Sequence, residues 1–374
     1  MNEAIDRAFM AQALAYGARG LGSTWPNPCV GAVLTRDTPG GSVLVARGHT
    51  QPGGRPHGEA IAFERAGAEA AGCTLYVTLE PCSHRTIRAA TPCVERTILS
   101  GITRVVSAMA DPNPMIAGLG HALLRAAGIE VVTGVLEAEA KAAHRGHVLR
   151  VTRGRPMVTV KLARTADGYA GGQGGTRIAV SCAAAMDWVH LQRAHHDAIM
   201  LGIGSVLADD PQLTVRLPGL GARSPVRVVL DSLLRLPPTS RLVETAVEVP
   251  VWVIATERAP VEAEKALVAA GVEVLRVGVD ADGGLCLGEA MTLLGTRGIT
   301  RVFSEGGPRV AEALASQGLA DEVVISTSRQ ALGEPGVVAV RPGLAALVAD
   351  PATYCPAETF SVGEDDFQRY ERIA

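Results

Sequence analysis

Aromatic side chains are scarce in this chain: Phe, Tyr and Trp together make up 3% of 374 residues. A surface that stacks unpaired bases is built from such rings, so their scarcity argues against a nucleic-acid platform. A surplus of charge is lacking too. The formal net charge is −3 and the isoelectric point about 6.3, which leaves no overall attraction to nucleic acid or to an anionic membrane. No apolar run approaches the ~18–20 residues of a membrane span. The seven cysteines are an odd number in a long chain, unlike the compact, even framework of a small disulfide-rich domain. The first residues, among them Glu3, Asp6 and Arg7, are polar rather than leader-like. These absences lead to the expectation of a reduced, cytoplasmic protein that handles a small molecule and has no nucleic-acid or membrane partner.

What is present is small and apolar. Hydrophobic residues make up 47% of the chain, carried by Ala, Val and Leu, with 42 glycines beside them. This composition suits close helix-on-sheet packing, and the length suggests two domains. Ile5, Phe9, Met10, Ala13 and Leu14 recur at helical spacing, which predicts a helix over 2–19. Strands are expected at 30–34 and 42–46, paired across a Pro-Gly-Gly loop, and at 74–79 and 104–108. Helices are expected at 60–71, 93–99 and 118–127. The basic stretch 146–156, ending in Gly-Arg-Pro, is the best linker candidate and places domains at 1–148 and 149–374. Beyond it the alternation restarts. Strands are expected at 157–162, 198–201, 226–231, 251–255, 272–277, 301–304 and 322–327, with helices at 181–195, 261–270, 285–295 and 308–316. Both halves therefore read as α/β. The segment Gly-Ile-Thr-Arg-Val occurs at 101–105 and again at 298–302; dissimilar flanks make it a recurring helix-to-strand connection rather than a duplication.

The chemistry lies in His57-Gly58-Glu59 and in Thr78-Leu79-Glu80-Pro81-Cys82, followed by Pro92-Cys93. One imidazole and two thiolates are three zinc ligands, and a catalytic zinc site keeps its fourth position open. Glu59, two residues after the histidine, is the expected proton carrier, as in zinc deaminases where a non-ligand glutamate serves as acid and base. The competing reading is a closed structural site, for which His49 or His84 would be the fourth ligand. A non-catalytic zinc scaffold would be indifferent to the loss of Glu59.

The first half resembles the deaminase half of the bifunctional riboflavin-biosynthesis deaminase/reductase family. The resemblance rests on Pro26-Asn27-Pro28-Cys29, Gly53-Gly54-Arg55-Pro56-His57-Gly58-Glu59, Leu79-Glu80-Pro81-Cys82-Ser83-His84 and Asp111-Pro112-Asn113-Pro114. The second half resembles the reductase of that family through Val160-Lys161-Leu162-Ala163, Gly202-Ile203-Gly204-Ser205, Asp209-Asp210-Pro211, Leu213-Thr214-Val215-Arg216 and Ser304-Glu305-Gly306-Gly307. The resemblance implies a cytidine-deaminase-like α/β/α domain followed by a dihydrofolate-reductase-like α/β domain. It implies zinc held by His57, Cys82 and Cys93, Glu59 as the catalytic residue, and NADPH as the second cofactor. It places Ala163, Ser205, Asp209, Ser232 and Gly307 at NADPH. It places Thr176, Arg193, Leu213, Arg216 and Glu305 at substrate, and Lys161 near the transferred hydride. A homo-oligomer, dimer or tetramer, is also implied.

The chain departs from the family pattern in places. Gly58 stands where alanine is usual, and Cys82 and Cys93 are eleven positions apart where nine is usual, the insert falling at 85–90. Ile178 and Val180 replace a tryptophan and a threonine. A deaminase whose second domain only binds a ligand or dimerises is the alternative expectation.

Overall fold

The computed structural model describes residues 3–83, 91–173 and 178–373, and the chain divides into two compact units, Met1–Gly154 and Arg155–Ala374. In the first unit the described elements are α1 (Glu3–Gly17), β1 (Gly31–Thr38), β2 (Gly41–His49), α2 (Gly58–Ala66), β3 (Thr74–Val77), α3 (Cys93–Leu99), β4 (Arg104–Ser107), α4 (Leu119–Ala126), β5 (Glu130–Thr133), α5 (Glu137–Ala143) and α6 (Arg145–Arg153). The sheet order is β2-β1-β3-β4-β5. β1 runs antiparallel to both neighbours, and β3, β4 and β5 are parallel. Ala32, Leu34, Leu75, Val77, Val105 and Val106 form the core with Met10 and Ala13 of α1. The helix lies so close to β1 that a Cβ on Gly31 would stand 1.9 Å from the Ala13 carbonyl oxygen. Only glycine fits there.

The second unit continues with β6 (Met157–Arg164), β7 (Tyr169–Gly171), α7 (Ala183–Ala194), β8 (Ala198–Gly202), α8 (Ile203–Asp209), β9 (Val226–Leu230), α9 (Arg241–Glu244), β10 (Val251–Thr256), α10 (Val261–Ala269) and β11 (Glu273–Val277). It ends with α11 (Leu287–Thr296), β12 (Arg301–Ser304), α12 (Pro308–Ser316), β13 (Glu322–Thr327), β14 (Val337–Val338), α13 (Pro342–Ala349), β15 (Tyr354–Val362) and β16 (Asp365–Arg372). Its main sheet has the order β11-β10-β9-β8-β12-β6-β13-β16-β15. The strands from β11 to β13 are parallel, with near-continuous apolar runs as expected of strands covered on both faces. β16 and β15 are added antiparallel at one edge.

One expectation fails here, and one element was not expected. Most of the stretch read as a linker, 146–156, is helical, because α6 carries Val148, Leu149 and Val151 on a short amphipathic turn pattern that its arginines obscured. The β15–β16 hairpin was not foreseen, since β15 is largely exposed and carries little apolar alternation.

A buried ion pair joins α1 to the sheet. Arg104 donates to both Asp6 carboxylate oxygens at 2.8 Å, and the Tyr76 hydroxyl donates to the same carboxylate at 2.9 Å. The hydrogen bond and charge of Arg104 hold the Asp6 carboxyl below its ordinary value of 3.8. Its stabilising contribution is therefore present above that value and is lost as pH falls through the lower folded value. Asp6→Ala, which takes the buried carboxylate from the guanidinium and leaves it the exposed Glu130 carboxylate, should cost about 3–5 kcal/mol. Urea unfolding checks this, and an unchanged first transition would count against it.

Candidate active sites

In the first unit, three chain segments converge where β3 ends and α2 and α3 begin. His57 is the residue preceding α2, with extended dihedrals, and Glu59 lies in the first turn. β3 runs out through Glu80 and Pro81 to Cys82, and Cys93 is the first residue of α3. The His57 Nδ1 atom lies 3.7 Å from Cys82 Sγ and 3.3 Å from Cys93 Sγ, and the three ligand atoms are all within 4.8 Å of one another. Tetrahedral zinc with ordinary Zn–N and Zn–S bonds separates N and S by about 3.5 Å, so this donor set fits the ion. Among the described residues, His49 is not part of the group; its ring engages the Thr50 carbonyl and Gln51. His84 and residues 85–90 lie outside the described residues.

The Cys93 backbone N–H donates to Cys82 Sγ at 3.3 Å. A hydrogen bond from the Cys93 thiol, together with His57, draws the Cys82 thiol down to about 4. Sharing that proton and burial push the Cys93 thiol up. Glu59 is 2% exposed, and its Oε2 has no hydrogen-bond partner. Burial raises its carboxyl above the ordinary value, against the pull of His57. A cavity of about 230 Å³ opens over His57, Glu59 and Cys82 and is lined also by Asn27, Arg55, Asp111, Asn113, and His147, Arg150 and Val151 of α6.

The wall of this cavity is held by Glu80. Its carboxylate accepts the backbone N–H groups of Asp111, Gly118, Gly120 and His121 at 3.0, 2.8, 2.7 and 3.3 Å. Asp111 in turn accepts the Asn113 N–H at 2.8 Å.

In the second unit, three cavities of about 350, 530 and 820 Å³ all include Ser205, at the start of α8. The first is lined by Lys161, Ala163, Ile178, Asp209, Glu305 and Gly307. The second is lined by Arg193, Asp209, Leu213, Arg216, Arg241 and Glu305. The third is lined by Ser232, Gly307, Arg235 and Arg309. Backbone approaches the space openly here: a Cβ on Gly204 would meet nothing within 4 Å, and one on Gly307 only the Ser205 hydroxyl at 3.3 Å. Such glycine-lined helix starts, at α8 and α12, fit the phosphates of a dinucleotide.

Arg193 makes a two-pronged pair with Glu305 at 2.6 and 2.8 Å and also donates to the Thr214 carbonyl. Although burial opposes it, the Arg193 charge and hydrogen bond, with Lys161, keep the Glu305 carboxyl below its ordinary value. Burial and the neighbouring charges of Arg193 and Arg241 lower Arg216, and three arginines against Asp209 and Glu305 leave this cavity a net positive lining. Asp210 and Leu213 hold left-handed backbone at φ 39° and 58°, a conformation that non-glycine residues seldom adopt away from such sites.

The zinc-binding region of cytidine and deoxycytidylate deaminases matches residues 3–109, and the RibD C-terminal domain matches residues 156–348. The riboflavin biosynthesis protein RibD of Escherichia coli is 36% identical over 372 residues, 96% of this chain and 97% of that protein. The chain belongs to the RibD family. RibD of Aquifex aeolicus is also 36% identical, over 88% of both chains. Among solved structures, RibD of Acinetobacter baumannii superposes with a TM-score of 0.87 at 31% identity over 100% of both chains. A Thermotoga maritima diaminohydroxyphosphoribosylaminopyrimidine deaminase/5-amino-6-(5-phosphoribosylamino)uracil reductase gives 0.82 at 31% identity over 99% of both chains.

This protein is therefore a bifunctional riboflavin biosynthesis enzyme, with a deaminase-like first domain and a reductase second domain, and its cofactors are zinc and NADPH. A second domain that only binds a ligand is not favoured. Among the described residues no helix is long and apolar enough to cross a membrane.

The structure brings His57, Cys82 and Cys93 into one ligand group, and His57, Cys82 and Glu59 line one cavity. It brings Ala163, Ser205, Asp209, Ser232 and Gly307, with Arg193, Leu213, Arg216 and Glu305, to the three adjoining ones. Thr176 lies outside the described residues. Sequence reading missed His147 and Arg150, whose i, i+3 spacing on α6 was the available signal, and Arg241, which is remote in sequence from its neighbours in space. Glu80→Ala should cost at least about 3 kcal/mol, because it leaves several buried N–H groups unpaired. Thermal unfolding and zinc content check this, and a variant as stable as the parent would count against the latch.

Proposed function

We propose that the first unit hydrolyses the 2-amino group of 2,5-diamino-6-(5-phosphoribosylamino)pyrimidin-4(3H)-one. The second unit then reduces the ribose of the product with NADPH, giving 5-amino-6-(5-phosphoribitylamino)uracil. The observation that carries the reading is the buried Glu59 carboxylate, one oxygen of it unpartnered, in a cavity beside two thiols and an imidazole at zinc-ligand spacing. His57, Cys82 and Cys93 hold the zinc. When bound, zinc supplies the Lewis acidity that lets water act as a nucleophile near neutral pH. Glu59 takes a proton from the attacking water and returns protons to the ring nitrogen and to the departing ammonia. A carbon–oxygen bond forms, the carbon–nitrogen bond breaks, and ammonia leaves. Asn27, Asp111 and Asn113 present polar groups to the ring.

In the second unit, Ala163, Ser205, Asp209, Ser232 and Gly307 hold NADPH, which supplies the hydride. The ribose C1′ gains that hydride, its bond to the ring oxygen breaks, and the oxygen gains a proton. Lys161, buried and beside the Glu305 charge, is the group placed to give that proton. Arg193 positions Glu305. Leu213 and Thr176 contact substrate, and Arg216 with Arg241 takes the 5′-phosphate, since guanidinium groups pair with phosphate oxygens. The protein works as a homo-oligomer, dimer or tetramer, in the cytoplasm. Family likeness supports the oligomer, and seven free cysteines are in keeping with a reducing compartment.

The test follows ammonia release and loss of nicotinamide absorbance together on the diaminopyrimidine ribotide. Both signals are expected from the parent, and the absence of both from a zinc-loaded protein would overturn the substrate assignment. Glu59→Gln should lose about 10²-fold or more in ammonia release, retain its zinc, and still oxidise NADPH when supplied with the deaminated intermediate. Arg216→Ala should raise the KM of reduction about tenfold or more and leave ammonia release alone. An unchanged KM would remove Arg216 from the phosphate site.

A further inference from the structure

Helix α6 contributes an imidazole to the first cavity that neither the zinc group nor the Glu59 chemistry uses. His147, Arg150 and Val151 lie on one face of the helix at i, i+3 and i+4 and line the cavity with Glu59. The helix is fixed on both sides of His147. The His144 ring meets the Thr78 hydroxyl at 3.0 Å, and Arg150 donates to the Pro26 carbonyl at 3.1 Å. His147 therefore sits on a braced element, one residue type away from an ordinary apolar lining. Its Nδ1 is shut off from solvent and has no hydrogen-bond partner. Among the described residues, the metal-ligating group consists of His57, Cys82 and Cys93 and does not include it. Buried polar atoms in folded proteins are almost always paired, so an imidazole on a cavity wall with an unused nitrogen keeps hydrogen-bonding capacity for what the cavity binds.

We infer that His147 is a substrate-binding residue of the deaminase site, its ring turning so that a nitrogen hydrogen-bonds a bound aminopyrimidine ribotide. The inference rests on the deaminase reading above and adds a residue to it. The ring acts as a neutral group. Burial pushes its pKa down to about 3, and the charges of His144 and Arg150 push the same way. A neutral imidazole offers one N–H and one lone pair, so it can meet either a carbonyl or an amino edge of the heterocycle. It does so without adding a charge beside Glu59.

The experiment compares His147→Phe and His147→Asn with the parent. Phenylalanine keeps the ring and removes the hydrogen bond; asparagine keeps a polar atom near the Nδ1 position. On the diaminopyrimidine ribotide, His147→Phe should raise the KM for ammonia release about five- to tenfold with a smaller change in kcat. It should melt no lower than the parent, because an unpaired polar atom has been replaced by an apolar one. His147→Asn should recover part of the lost affinity. Zinc content, and NADPH oxidation with the deaminated intermediate, should be unchanged in both variants. A Phe variant with parental KM overturns the proposal. So do Phe and Asn variants that lose activity equally together with thermal stability, because the ring then only packs. A parent protein that releases no ammonia removes the deaminase reading itself. A parent that does so beside an unaffected Phe variant removes only the role of His147.

Discussion

Glu80 accepts four backbone N–H groups from residues 111–121, while its own chain continues through Pro81 into Cys82. A carboxylate this deeply buried is tolerated only when its lone pairs are used. Here they are used by a loop that would otherwise carry unpaired donors of its own. The Glu80 N–H also donates to the Met109 carbonyl at 2.9 Å, so the exits of β3 and β4 are tied to each other as well as to the loop. The contact is so close that a Cβ on Gly120 would stand 2.4 Å from the Pro81 carbonyl oxygen. One side chain thus sets both the position of a sulfur and the position of Asp111 and Asn113 across the cavity from it. The Glu-Pro-Cys run is a placement device before it is a ligand motif.

The same economy appears at the helix starts. α2 begins directly after His57 and α3 begins with Cys93, so two sets of unpaired N–H groups and two positive dipole ends meet near the sulfurs. Cys82 is drawn down and Cys93 pushed up because a single proton is shared between them. Two thiolates together are stable there only with a divalent cation, which is why metal affinity and thiol ionisation are one equilibrium at such a site. Beside that pair Glu59 keeps one carboxylate oxygen unpartnered and is raised by burial. Raised in this way, a carboxyl can both accept and return a proton.

How far this was legible in the sequence depends on how local each signal is. The boundaries of α3, β12, α12 and β13 were readable to the residue, since each is a compact apolar run between turn residues. The metal group was readable because its members lie in short runs whose spacing carries chemical meaning. α6 was not, because four arginines from Arg145 to Arg155 hid a helical apolar stripe behind the look of a linker. α8 was not, because two of its flanking and early residues are glycines, Gly202 and Gly204, which lower helix propensity. The cavity contribution of α6 and the place of Arg241 beside Arg216 come from tertiary neighbourhood, which no window of sequence reports. The Arg193–Glu305 pair is the same kind of case. A reading by residue type assigns the arginine to phosphate, whereas in the fold its guanidinium is held by a carboxylate 112 positions away.

The second unit shows what the unusual residues cost. Ser205 borders all three cavities, and Asp209 and Glu305 each border two. Hydride transfer needs donor and acceptor within van der Waals reach, and in the proposed reaction these shared residues border the place where cofactor and sugar would meet. The distance from that place to Arg216 is fixed by backbone, through the left-handed turns at Asp210 and Leu213, rather than by flexible side chains. Ile178, on the wall of the cavity with Lys161 and Glu305, is smaller than the tryptophan of the family pattern but equally apolar. On the proposed placement, a nicotinamide face packed against it would lose contact area and keep a dry wall, while Lys161, Glu305 and the arginines are untouched. On the proposed cofactor placement the substitution would act on cofactor affinity rather than on the chemistry of reduction.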